Sequence, residues 1–257
     1  MISILKRIER RNGAIMSKTD EQRSRVEDSN NEKVIGILGG MGPEATLELF
    51  RRILDKTSAS TDQDHLRIII DNNPKIPDRT ATLLHGGEDP IPLLLSTATN
   101  LENAGADFII MPCNTAHHYI DRISAGVNIP LLNMVELTVT SIREPCVGIL
   151  ATDGTLASRL YHKTCSEKGI LLLCPDGSDQ KGTMGVIYLV KGRQIDLKNA
   201  KIRVSKVAKR LIDRGAQAII LGCTEISLVL SQGDVDVPIY DPLEILAEEA
   251  IKKALSS

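Results

Sequence analysis

Tryptophan is absent from this 257-residue sequence, and only two phenylalanines and four tyrosines supply aromatic rings. There is no basic surplus either: 31 lysines and arginines face 33 aspartates and glutamates, for a net charge of −2. A chain without stacking side chains or a positive stripe has little with which to grip nucleic acid. Apolar runs such as Ile68–Ile70, Phe108–Met111 and Ala218–Leu221 are far shorter than the roughly 20 residues of a membrane-spanning helix, so no membrane partner is expected. The five cysteines show no CxxC spacing, which argues against a disulfide scaffold or zinc ribbon and for free thiols in a reducing cytoplasm. What remains is a globular balance of 42% hydrophobic and 25% charged residues, in a chain long enough to bury its core without a metal or disulfide staple.

Residues 1–32 mix Lys6, Arg7, Arg10 and Arg11 with Glu9, Asp20 and Glu21, lack the apolar segment of a secretory signal, and read as a disordered tail. From Lys33 onward, short β-branched runs alternate with longer amphipathic stretches, the pattern of parallel α/β sheets. Strands are predicted at 33–39, 66–71, 107–112, 130–133, 146–150, 170–174, 217–222 and 237–240. Helices are predicted near 43–57, 90–104, 114–125, 153–168, 197–214 and 241–256, the last with Asp241 as N-cap and Glu244 completing a capping box.

The chain also repeats itself. VIGILGGMGPEAT (34–46) answers CVGILATDGTLAS (146–158), AGADFIIMPCNT (104–115) answers RGAQAIILGCTE (214–225), and IPLLNMVE (129–136) answers VPIYDPLE (237–244), at offsets of 112, 110 and 108 residues. Such a spacing is too long for a solenoid and describes a duplicated domain. The expected architecture is two Rossmann-like α/β domains, each a parallel sheet flanked by helices, related by a pseudo-twofold axis with the active site between them. One domain takes 33–131 plus 238–257, the other 132–237.

The duplication places Cys113 and Cys223 at equivalent strand ends, where open α/β sheets bind ligands. Each cysteine is expected to open a helix, with Asn114, Thr115 and Thr224 as N-cap residues and the macrodipole lowering the thiol pKa. Two thiols facing each other suit a base on one face of a carbon acid and an acid on the other, which is racemisation without a cofactor. Cys146, Cys165 and Cys174 have no such setting and read as core filling. Competing readings exist. Gly40-Met-Gly42-Pro-Glu-Ala45 fits the dinucleotide fingerprint, although the duplicate carries ATDGTLA in its place. Cys113 and His117 sit at metal-ligand spacing but lack further ligands. A non-catalytic module could use the same cleft, yet binding alone needs neither thiol.

GGMGPEAT (39–46), NNPKIPDRT (72–80), MPCNTAH (111–117) and GCTEI (222–226) together resemble the aspartate/glutamate racemase family, and within it the aspartate racemase branch. The resemblance runs from about Val34 to the end of the chain. It departs from glutamate racemases, which carry a histidine where this chain has Glu225. It implies a homodimer in the cytoplasm that racemises a dicarboxylic amino acid without pyridoxal phosphate. Residue by residue, it implies Cys113 and Cys223 as the acid/base pair. Asn114, Thr115 and Thr224 would hold the α-amino-carboxylate, Arg79 and Lys191 would bind the side-chain carboxylate, and Met41 of the first motif would join the substrate-binding set. Two cations for a dicarboxylate are sound chemistry, since arginine can clamp one carboxylate bidentately.

Overall fold

A computed structural model describes residues 32–256; the expected tail at 1–32 lies outside them except for its final residue. Two parallel sheets form the framework. In the first, β1 (Ile35–Gly39) lies between β2 (Ile68–Asn72) and β3 (Phe108–Ile110), and a bridge from Ile109 to Leu131 is all that forms of the strand expected at 130–133. In the second, β4 (Cys146–Ile149) lies between β5 (Leu171–Leu173) and β6 (Ala218–Ile220), and β7 (Ile239–Tyr240) pairs outside β6. The strand order is the same in both halves, as the repeated sequence blocks require.

Side-chain alternation along each strand feeds two core layers per sheet. In β1, Ile35 and Ile37 pack with Phe108 and Ile110 against the helices Pro43–Lys56 and Pro242–Leu255, while Leu38 faces Ile109 and the helix Ile91–Asn103. In the second sheet, Val147, Ile149 and Ile220 pack on Tyr161 and Cys165, while Ile219 and Leu221 pack under the helices Gly177–Lys191 and Leu197–Asp213. β7 pairs within the second sheet, and the helix from Pro242 packs on the first. At that helix Asp241 caps as expected by accepting from Leu243 N, but Glu244 reaches Arg52 and Lys56 instead of closing a capping box.

Three helices were not expected from the sequence: Arg79–His85, Met134–Ser141 and Gly177–Lys191. Each has a side-chain cap. Asp78 accepts from Ala81 N, Asn133 from Val135 N and Glu136 N, and Asp176 from Asp179 N. Among the described residues no helix is long and apolar enough to cross a membrane.

Candidate active site

The ends of β3 and β6 carry Cys113 and Cys223 to the same cleft, where both thiols are buried. Neither cysteine opens an α-helix. The segments that follow, Thr115–Tyr119 and Ile226–Leu228, are short 3-10 turns, and neither Asn114 nor Glu225 makes a side-chain cap bond at the residue preceding them. A 3-10 turn aligns few peptide dipoles, so neither thiol sits at the positive end of an α-helix macrodipole. For Cys223 the structure gives the opposite of the expected lowering. Burial, and then the neighbouring Glu225 carboxylate, push its thiol well above the ordinary value of 9.0, with Lys191 opposing them.

Asn114, Thr115 and Thr224 stand in the cleft as expected, but they knit its two walls together instead of capping helices. Tyr161 Oη donates to Asn114 Oδ1 at 2.6 Å. Thr115 Oγ1 lies 2.9 Å from both Thr152 Oγ1 and Thr155 Oγ1. Thr224 Oγ1 donates across the cleft to the Pro112 carbonyl at 3.5 Å. Asn114 Nδ2 is left buried with no hydrogen-bond partner.

Arg79 is buried at 7% exposure. It begins the helix capped by Asp78, and three carbonyls fix its guanidinium. Nη1 donates to Ile76 O at 3.2 Å and Pro77 O at 2.8 Å, and Nη2 to Met41 O at 3.3 Å. Its Nε is buried without a partner, and among the described residues no carboxylate pairs with it. Lys191 is the last residue of the helix Gly177–Lys191, one of the three not expected from the sequence. Burial acts to lower its ammonium pKa, but Glu225 and the two thiols outweigh burial and hold it above the usual lysine value. Its Nζ lies 3.9 Å from Glu225 Oε1. Met41 lines the same cleft, buried, and also an adjoining cavity of about 260 Å³. The seven residues expected from the sequence beside Met41, namely Cys113, Cys223, Arg79, Asn114, Thr115, Thr224 and Lys191, are thus brought together with it.

The sequence reading passed over several further groups. Glu225 is buried, and its Oε2 accepts from Cys223 Sγ at 3.0 Å. Thr152, Thr155 and Tyr161 hold the opposite wall. The duplication contained the signal: the 112-residue offset sets Thr152 over Gly40, and the 110-residue offset sets Glu225 over Thr115, an exchange of a hydroxyl for a charge at equivalent positions.

The competing motifs have other work. In the glycine loop, Gly40 N donates to Thr46 Oγ1 at 3.0 Å, and a Cβ on Gly40 would sit 2.3 Å from the Asn73 backbone. That loop is packed against its own domain and its amide is already engaged, unlike a phosphate cradle. His117 uses both ring nitrogens internally, Nδ1 to Cys113 O at 2.8 Å and Nε2 accepting from Met134 N at 3.1 Å. Burial lowers its pKa to about 4, so the ring is neutral near pH 7. It fixes the Cys113 turn against the helix Met134–Ser141.

The cleft between the thiols is tightly closed, with about 10 Å³ of free volume, room for about one water molecule. Outside it, Arg193 pairs with Glu44, which lines the adjoining cavity. A larger cavity of about 630 Å³ lies elsewhere, against Arg52, Asp241 and Glu244, whose charges pair with one another.

Known proteins share this fold. A chain described as Picrophilus torridus aspartate racemase superposes with a TM-score of 0.78 at 32% identity, over 86% of this chain and 94% of its own. An aspartate racemase homologue from Pyrococcus horikoshii OT3 superposes with a TM-score of 0.71 at 29% identity, over 87% and 100%. The broad specificity amino-acid racemase of Bacillus subtilis is 28% identical over 87% of this chain and 99% of its own length. A glutamate racemase from Francisella tularensis, at 19% identity and a TM-score of 0.65, shares the fold. The Asp/Glu/Hydantoin racemase model matches residues 38–250, a span that contains both thiols and every cleft residue named above, and the chain belongs to that family of racemases.

Proposed function

We propose that this protein interconverts L- and D-aspartate by a two-base mechanism, with Cys113 and Cys223 exchanging protons on opposite faces of Cα and with no pyridoxal phosphate, metal or nucleotide. One thiol acts as thiolate base while the other delivers a proton, so the pair supplies both transfers that inversion needs. Arg79 and Lys191 bind the side-chain carboxylate. Asn114, Thr115 and Thr224 hold the α-amino-carboxylate, where donors near the carboxylate stabilise charge as Cα loses its proton. Met41 closes the outer side of the pocket.

The observation that carries the proposal is the pairing of two buried thiols, from duplicated positions, with two buried donors that lack partners: Arg79 Nε and Asn114 Nδ2. A buried donor without an acceptor costs about 1–3 kcal/mol, and a dicarboxylate supplies acceptors for both. The same reading takes the protein as a cytoplasmic homodimer. The test is racemisation of L- and D-aspartate by protein dialysed exhaustively against chelator, with the molecular mass measured in the same buffer. Activity that appears only when pyridoxal phosphate or a metal is added overturns the proposal.

A second reading, racemisation of a wider range of amino acids, is favoured by the near full-length match to the Bacillus subtilis enzyme. Aspartate, glutamate and neutral amino acids assayed side by side separate the two, because a buried arginine is wasted on a substrate without a second carboxylate.

A further inference from the structure

Glu225 stands between a thiol and a cation. Its Oε2 accepts the Cys223 Sγ–H at 3.0 Å, its Oε1 lies 3.9 Å from Lys191 Nζ, and the residue is 2% exposed. Such a position is expensive for a carboxylate without a purpose, since a buried charge is tolerated only with partners. At the matching position of the first half stands Thr115, whose hydroxyl serves the wall contact to Thr152 and Thr155, so the two thiols have chemically different neighbours.

We infer that Glu225 is the base that takes the proton from Cys223, and that substrate triggers the transfer by drawing Lys191 away from Glu225. This rests on the two-thiol reading above. In the free protein Lys191 is the counter-ion of Glu225. A substrate carboxylate that pairs with Lys191 leaves Glu225 a buried anion with a weakened partner, and such a group gains proton affinity. The Sγ–H proton then passes to Oε2, giving a thiolate and a neutral carboxyl. The thiolate takes the Cα proton and becomes a thiol again, while Cys113 gives its proton to the opposite face and becomes a thiolate. The cycle closes when Glu225 releases its proton to solvent and Cys113 takes one up. Thiolate is thereby generated only beneath bound substrate.

Among the described residues, the other charged or titratable groups around this pair include Tyr188 on the helix that ends at Lys191, Arg79 and Asp78 from the start of the helix Arg79–His85, Glu44 from the helix Pro43–Lys56, and Cys113. Of these, Asp78 accepts from Ala81 N, and Arg79 gives Nη1 and Nη2 to backbone carbonyls while its Nε stays without a partner.

Two opposite outcomes separate a relay from a bystander. If Glu225 only repels the thiolate, Glu225→Gln removes a negative neighbour, lowers the Cys223 pKa and speeds racemisation near neutral pH. If Glu225 is the base, the same variant lowers the thiol pKa yet slows racemisation. A general base contributes about 10²- to 10⁴-fold, so kcat/KM for aspartate is expected to fall by at least about 10²-fold, equally for both enantiomers, whose interconversion has an equilibrium constant of one. The thiol is followed separately by the ultraviolet absorbance of its thiolate in a pH titration, with Cys223→Ser as the blank. Glu225→Asp, which keeps a carboxylate but withdraws it from the sulfur, is expected to recover part of the rate and the wild-type pH profile. It carries the test if circular dichroism shows Glu225→Gln unfolded. Unchanged or faster turnover in Glu225→Gln, or in Glu225→Asp where it stands in, overturns the relay alone, provided wild type racemises and Cys223→Ser does not. Wild type that fails to racemise overturns the parent reading and the relay with it.

Discussion

Replacing Arg79 by methionine separates its part in function from its part in folding. Two terms of opposite sign act on stability. The guanidinium makes three hydrogen bonds to carbonyls, and bonds from a charged donor are worth about 1.5–3 kcal/mol each. Against them stands the cost of holding a cation at 7% exposure without a paired carboxylate, several kcal/mol after relaxation. Methionine fills similar space without the charge, so the net change in unfolding free energy is expected to be small. Substrate binding has no such compensation. A dicarboxylate entering the variant loses its charged partner, a loss of about 2–5 kcal/mol, equivalent to about 30- to 5000-fold in kcat/KM for aspartate. A thermal-shift assay reads both. Aspartate at 100 times its Kd stabilises wild type by about 2.7 kcal/mol, which for a protein of this size raises Tm by about 5–11 °C. Arg79→Met should melt close to the wild-type temperature and show almost no rise with aspartate. If the variant retained the ligand-induced rise and near-normal kcat/KM, Arg79 would not hold the substrate and the side-chain subsite would lie elsewhere.

Cys113→Ser or Cys223→Ser alone should abolish racemisation while leaving circular dichroism unchanged. Each should retain slow α-deuterium exchange with one enantiomer, the two variants preferring opposite ones; full activity in either would exclude a two-thiol mechanism. His117 is held neutral in the folded state, so stability is complete above its unfolded pKa of 6.5 and is lost as pH falls toward about 4. That gap corresponds to about 3 kcal/mol, measurable by urea unfolding between pH 7 and pH 4, and His117→Gln should flatten the difference. The raised thiols act at the other end. Cys165, driven by burial to about 11, and Cys223 favour the protonated form in the folded state, so stability should fall above pH 9 and less steeply in Cys223→Ser.

The strand ends that matter were legible because duplication is a long-range signal written in local residues: Gly36 over Gly148, Cys113 over Cys223, Pro130 over Pro238. The missed helices have weak local signals. Gly177, Gly182 and Gly185 lower the propensity of the segment ending at Lys191, and its face of Thr183, Met184, Ile187 and Val190 is decided by the Leu197–Asp213 helix it packs against. The expected lowering of the Cys223 pKa failed for a related reason. Backbone after a strand end can coil as an α-helix or as a 3-10 turn, and the choice rests on contacts across the cleft that no local pattern contains. Glu225 was legible as a difference from glutamate racemases, but its partners, Cys223 and Lys191, could be known only once the helix carrying Lys191 had been placed.

The 10 Å³ between the thiols is less than an amino acid occupies, so the shut cleft can do chemistry but cannot be filled. The site behaves as an airlock. Admission requires the two walls to part, and the bonds between them at the thiols are Tyr161 to Asn114, Thr115 to Thr152 and Thr155, and Thr224 to Pro112, with Arg193 to Glu44 and Arg52 to the Ser227 carbonyl farther out. At about 1 kcal/mol apiece these set an opening cost of a few kcal/mol, and domain movements of that kind run on the microsecond to millisecond scale. Each turnover passes through the airlock twice. Once proton transfer is faster than that passage, the ceiling on turnover is set by the friction of the solvent against two moving domains, and a more viscous medium should lower it in proportion.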